Sequence, residues 1–158
     1  MAEIDIRSAL AGWVRDSGES LYKAGKKVPA ERFQWHPKAE EAEGRDTEDQ
    51  IAECAVINTW GTQAFQTGSV PPIDWSQYPA LVAEVKTGDA LEALKTATEA
   101  LAEAIEAFPA DKLGDKIPHP FYEGKEITWA DFAMIFYWND VYHVGQVNYI
   151  QVLYGDNS

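Results

Sequence analysis

Residues 128–155 read TWADFAMIFYWNDVYHVGQVNYIQVLYG, and their apolar side chains recur at the spacing of one helix face. Thr128 and Asp131 at the start resemble a helix-capping signal, and Gly155 is a residue type that often ends a helix. The inward positions of this segment are Phe132, Ile135, Phe136, Asn139, His143, Val147, Ile150 and Leu153. The pattern predicts a long helix at the C-terminal end of the sequence.

Three further segments show the same helical period. They run from about Ile4 to Ala24, from Thr47 to a stop at Gly68, and from about Thr87 to Phe108. Thr47 and Gln50 fit a capping box, in which each side chain bonds a free backbone N–H group of the first turn. Proline-containing connections separate the helices at residues 25–45, 69–80 and 109–127, and strand-like alternation is absent. The acidic run at residues 40–43 is expected to be a solvated loop. These features predict an all-α chain, an antiparallel four-helix bundle with long connections.

Composition limits the classes of protein to be considered. The chain has 158 residues, with 13 basic and 26 acidic side chains and a formal net charge of −13. The length favours a single domain over residues 1–158, and the acidity argues against a nucleic-acid partner. No apolar run reaches the ~18 residues that a membrane span needs, so no membrane association is expected. One cysteine and the charged N-terminal residues favour a cytoplasmic protein without a signal peptide.

The aromatic content suggests self-association. Six Trp, seven Tyr and six Phe are more than a small core comfortably hides, and aromatic side chains favour interfaces. A homodimer is therefore predicted. The cluster Phe136, Tyr137, Trp138 and Tyr142 is expected to serve core and interface, with a ligand cage as the alternative.

A row of polar side chains lies on the inward face of the last helix. Asn139 and His143 are four residues apart, and Gln146 lies about one turn further on. Polar groups at such positions are costly unless they find partners. One interpretation is a hydrogen-bond network inside the core, and the other is the wall of a ligand pocket or a metal site. Cys54 of the second helix is expected to be a small buried hydrophobe, with a ligand or a reactive thiol as the alternative.

The segment Tyr142-His143-Val144-Gly145-Gln146-Val147, followed by Leu153-Tyr154-Gly155, resembles the last-helix motif of the DinB-like superfamily, whose members typically have His-x-x-x-His-x-Gly-Gln-Ile there. Gly44-Arg45, Asp49-Gln50-Ile51-Ala52 and Asn58-Thr59-Trp60 are similar to the start of that family's second helix. Val28-Pro29-Ala30-Glu31-Arg32, with Trp35 and Pro37, resembles its lead-in. Together these stretches cover most of the chain.

The resemblance implies a four-helix bundle, often dimeric, in which three histidines hold a divalent metal such as zinc or nickel. This chain differs at two of the three positions. Asn139 replaces the first histidine of the last helix, and Glu53 falls where the second helix supplies its histidine, or Cys54 if the alignment shifts by one residue. A neutral amide is a weak donor for zinc or nickel. The resemblance thus implies a degenerate metal site made of Glu53, Asn139 and His143, with Gln146 as a cofactor-binding residue that orients its neighbours.

Two functions follow from the resemblance. The first is a protein that keeps the bundle and binds a small molecule in its core without assigned activity. The alternative is a metal-dependent enzyme of the thiol-S-transferase or hydrolase type, which uses a low-molecular-weight thiol or water. Whether the chain is an enzyme stays open at this point.

Overall fold

The structure is a computed structural model that describes residues 5–38 and 44–156. Five α-helices carry most of these residues: α1 (Ile6–Lys27), α2 (Thr47–Thr67), α3 (Tyr78–Lys86), α4 (Ala90–Ala107) and α5 (Trp129–Leu153). The mostly helical character predicted from the apolar spacing is confirmed. Ile4 and the acidic run at residues 40–43 lie outside the described residues.

Side-chain caps explain where the long helices begin. Thr128 and Asp131 form a full capping box at the start of α5, as predicted. The box predicted for Thr47 and Gln50 is wrong by one residue, because Asp46 and Asp49 form it instead. Gly68 ends α2 with a φ of 65°, a left-handed conformation that glycine adopts without strain.

Two elements lie where only connections were predicted. Helix α3 begins near the end of the predicted second connection and continues to Lys86, and α4 begins at Ala90 after its cap Asp89 rather than at Thr87. Strands β1 (Lys116–Pro118) and β2 (Glu126–Thr128) form a short antiparallel hairpin before α5, with Ile117 opposite Ile127. The expectation of no strands is therefore wrong for this connection, although the hairpin has only three residues a side.

The four long helices pack around a common interior in a mixed orientation. Gly18 lies against Thr98 and Gly25 against Leu91, so α1 and α4 are antiparallel. The Asn58 amide donates a hydrogen bond to Thr98, and further along both helices the Phe65 ring packs on Phe108 at the end of α4. Helices α2 and α4 therefore run in the same direction.

Helix α5 runs opposite to α2, because Gln50 meets His143 near one end and Gly61 meets Phe136 further along. It is consequently parallel to α1. The prediction that all neighbouring helices are antiparallel is wrong, because the crossover through α3 returns the chain to the end at which α2 started.

The interior contains two apolar clusters with polar side chains between them. One cluster centres on Phe65, Phe132 and Phe136, and the other on Leu21, Leu94 and Val147. The buried polar residues at the junction are Ser17, Asn58, Thr98, Asp140 and His143. This polar layer positions the candidate site.

The first connection is held to the bundle by its aromatic residues. Phe33 packs against the second cluster, and the Trp35 ring meets Tyr154 edge-on at 5.5 Å. Within the described residues, no helix has the length and apolar character that crossing a membrane requires.

Candidate functional site

His143 lies between two oxygen acceptors of α2. Its Nδ1 is 2.6 Å from Gln50 Oε1, and its Nε2 is 3.4 Å from Glu53 Oε1. An amide oxygen only accepts hydrogen bonds, so Nδ1 carries the hydrogen and Gln50 fixes the orientation of the ring. A protonated His143 donates to both partners. A neutral ring instead presents its Nε2 lone pair to the Glu53 carboxylate.

Glu53 connects His143 to the surface of the protein. Arg45, which precedes α2, forms an ion pair with the other oxygen of Glu53. Burial raises the pKa of Glu53, but the hydrogen bond and charge of His143 and the charge of Arg45 outweigh burial and leave the pKa below its usual value. Glu53 is therefore a carboxylate at neutral pH.

Asn139 and Cys54 form a second pair beside the first. Asn139 Nδ2 donates to Cys54 Sγ over 3.3 Å, which leaves the amide oxygen of Asn139 as the acceptor available to a ligand. Burial, together with the nearby Asp140 carboxyl, raises the pKa of the Cys54 thiol well above its usual value. Of the two residues considered for the second-helix position, Glu53 is the one that meets His143, while Cys54 stays a protonated thiol in the interior.

A cavity of about 470 Å³ opens on the outer side of these pairs. Glu53 and Asn139 provide its polar lining, and the remaining lining residues are Ile57, Trp75, Tyr78, Phe121, Ile135, Trp138 and Tyr142. The rings come from the crossover, α3, the β1–β2 hairpin and α5. The two elements that the sequence did not predict, α3 and the hairpin, supply two of the five rings, Tyr78 and Phe121.

Asp140 is the main residue of the polar layer that sequence reasoning missed. It is fully buried, and Ser17 Oγ donates to its Oδ2 at 3.1 Å. Among the described residues its Oδ1 has no hydrogen-bond partner. Burial raises the pKa of Asp140 to about 7, against the opposing effect of the hydrogen bonds around it. Asp140 follows Asn139 directly and so lies about 100° round the helix from it, and no signal in α5 alone shows that α1 covers it.

Gln146 does not orient His143, because Gln50 occupies that position. The Gln146 side chain is half-buried, and its Oε1 has no hydrogen-bond partner among the described residues. The capping pattern of the sequence predicts only a capping role for Gln50. Its place one turn before Glu53 on the same face of α2 was the signal that could have identified it.

The donor set does not fit the three-ligand metal site that the resemblance implies. His143 Nε2 and Glu53 Oε1 converge, but their third neighbour is the amide of Asn139, a weak donor. Within residues 5–38 and 44–156, no group of three or more His, Cys, Asp or Glu side chains is placed to hold a metal ion. Arg45 also competes for Glu53, because it pairs with the same carboxylate.

Comparison with protein-family models, with curated proteins and with solved structures finds no significant match to this chain.

Proposed function

We propose that this protein is a DinB-like helical domain that binds a small organic cation in the aromatic cavity and no longer holds a tightly bound metal. The observation that carries the proposal is the lining of the cavity, five aromatic rings around the Glu53 carboxylate and the Asn139 amide. The resemblance to the DinB-like motif supports the proposal in one further respect. His143 of the last helix faces Glu53, the residue that the resemblance aligns with the histidine of the family's second helix.

The polar groups of the cavity set the ligand class. Glu53 is ionised and accepts hydrogen bonds, and Asn139 presents an acceptor because its NH₂ group bonds Cys54. A ligand must therefore supply positive charge or N–H donors. Aromatic faces attract alkylammonium groups, and this attraction contributes ~0.5–2 kcal/mol. An amine or quaternary ammonium compound satisfies both parts of the lining.

The test compares choline with 3,3-dimethylbutan-1-ol, in which a neutral carbon replaces the charged nitrogen. Trp75 and Trp138 line the cavity, so binding is followed by tryptophan fluorescence and by NMR chemical shifts. We expect choline to bind about 2- to 30-fold more tightly than the alcohol, the range that cation–π energies give. Equal binding of the two compounds, or no binding of either, contradicts the proposal.

Two variants locate the binding. Trp75→Ala removes one wall of the cavity and is expected to weaken choline binding. Trp13→Ala is the matched control, because Trp13 is also about half exposed but lies on α1 and does not line the cavity. Circular dichroism checks that both variants are folded. If Trp13→Ala then loses choline binding as Trp75→Ala does, choline binds elsewhere on the protein.

The second candidate function is the metal-dependent enzyme with a low-molecular-weight thiol. The observation that favours it is the convergence of His143 Nε2 and Glu53 Oε1, with His143 oriented by Gln50 as metal-binding histidines are oriented by a neighbouring acceptor. Elemental analysis of untagged protein separates the two functions. Close to one zinc or nickel per chain would favour the enzyme, and a small metal content favours the binding protein.

A further inference from the structure

Beyond its first turn, the outer face of α5 carries no charge. From residue 132 to residue 153, Asp140 is the one side chain with a formal charge at pH 7, and it is buried. The chain as a whole has a net charge of −13, and charged side chains make up 25% of it. An uncharged stretch of six turns on the surface of such a protein therefore needs a specific explanation.

The exposed residues of this face form a regular apolar stripe. Trp138, Tyr142, Tyr149 and Val152 are 66%, 64%, 63% and 54% exposed. With Gly145 they are spaced alternately by four and three residues, which is the spacing of a helix–helix seam. We define these five residues as the α5 stripe. It is about 21 Å long at 1.5 Å per residue.

We propose that the α5 stripe pairs with the same stripe of a second copy of this chain in an antiparallel homodimer, and that this pairing covers the aromatic cavity. Gly145 lies midway between Trp138 and Val152, so a two-fold axis at Gly145 makes the stripe complementary to itself. The axis places Trp138 of one copy beside Val152 of the other, a large residue against a small one. A Cβ at Gly145 would meet nothing within 4 Å of its own chain, so this position is open to the second copy.

Charge selects a second copy as the occupant. Two molecules of net charge −13 repel each other wherever acidic faces approach. The α5 stripe is a surface where they can meet without bringing like charges together. The aromatic rings of the stripe also supply a substantial part of the area that a stable dimer buries. With ~200 Å² per ring residue and about two thirds of each residue exposed, the three aromatic residues of the stripe offer roughly 400 Å², about half of the ~800 Å² per partner of a standard interface.

The stripe continues into the mouth of the cavity. Trp138 and Tyr142 belong both to the stripe and to the cavity lining, where exposed Trp75 and Phe121 join them. In the antiparallel pair, Tyr149 and Val152 of the second copy lie over Tyr142 and Trp138. The second copy therefore completes the wall of the cavity. This closure rests on the proposed function of the cavity, whereas the self-association does not.

The experiment compares Gly145→Gln with Gly12→Gln by light scattering and sedimentation equilibrium at about 50 µM, above the micromolar range of moderate affinity. Both glycines lie within long helices and have open space around the added side chain. We expect the wild type and Gly12→Gln to be dimers and Gly145→Gln to have at least a tenfold weaker dimer. A monomeric wild type overturns the proposal, and so does an equal effect of the two substitutions.

A cross-linking experiment tests the orientation. Trp138→Cys and Val152→Cys are prepared separately and oxidised alone and as a mixture. The antiparallel pair predicts a disulfide between the two variants in the mixture and little between identical chains, because bridging requires Cα atoms within about 7 Å. Disulfides between identical chains would show a parallel pair and overturn the closure of the cavity. Choline binding is measured independently, so its failure leaves the dimer result intact.

Discussion

The Asp140 carboxyl lies in the middle of the helical bundle, where water does not reach it. Its pKa of about 7, raised by burial, means that the folded protein holds a proton that the unfolded chain releases near pH 4. Because the folded pKa is the higher one, the folded state is favoured at low pH. Its stability then falls as the pH rises from about 4 to about 7 and levels off above that range.

We expect Asp140→Asn to remove this pH dependence. The amide stays neutral, as the protonated acid is, and can still accept the hydrogen bond from Ser17. Between pH 5 and pH 8 the variant should gain stability relative to the wild type, on the order of a few kcal/mol at the upper end. Urea unfolding at several pH values measures the difference. A constant difference between the two proteins across this range would show that Asp140 is ionised throughout.

Asp131→Asn is the matched control on the same helix. Asp131 is exposed, and its pKa is lowered because Thr128 donates backbone and side-chain hydrogen bonds to it. Its contribution to stability is therefore complete above pH 4 and is lost only in more acidic solution. The control should cost about 1 kcal/mol, as the loss of a cap does, with no change between pH 5 and pH 8.

Some helices approach one another closely at glycines. Whether a larger side chain fits at such a glycine depends on the helix packed against it. A Cβ at Gly61 of α2 would overlap the Phe136 ring of α5, which is fully buried. We expect Gly61→Ala to destabilise the protein by about 1–3 kcal/mol, although alanine is the better helix former. Gly12→Ala, which has open space, should instead gain up to about 1 kcal/mol. Chemical denaturation compares the two, and equal effects would show that α2 and α5 can separate at low cost.

The sequence predicted helices wherever a stop or start signal and an apolar stripe coincide. Thr128 with Asp131 and Gly68 located the ends of α5 and α2 correctly. Helix α3 was missed because its surroundings contain Pro71, Pro72 and Pro79, which favour a loop. Pro79 in fact lies in the first turn of α3, where the missing N–H group costs nothing.

The candidate site was predictable only in part. Helical spacing placed Asn139 and His143 on one inward face of α5, and both line the interior. The partner across the bundle depends on how α2 packs on α5, so spacing within one helix cannot choose between Glu53 and Cys54. Tertiary packing also determines that α1 covers Asp140 and that the hairpin brings Phe121 to the cavity.

At the scale of the whole molecule, a metal ion at the candidate site would link α2 and α5 through one ligand from each helix. His143 and Glu53 already supply one donor from each helix, and Asn139 lies one turn from His143 on the same face. Asn139→His would complete a set of two imidazoles and a carboxylate, which is a known catalytic zinc arrangement. We expect the untagged wild type to purify with little metal and the variant to take up close to one zinc or nickel per chain.

Stabilisation by the metal provides an independent measurement. Metal that binds only the folded chain raises the thermal midpoint by mass action, so added zinc should stabilise Asn139→His more than the wild type. Adding Glu53→Gln to the variant is the control, because it removes the second-helix donor and should abolish most of the uptake. Equal metal content in the variant and its parent would show that residue 139 does not face the Glu53–His143 pair. Stoichiometric metal in the wild type would instead show that an amide suffices as the third donor, and the metal-dependent enzyme would then be the better proposal.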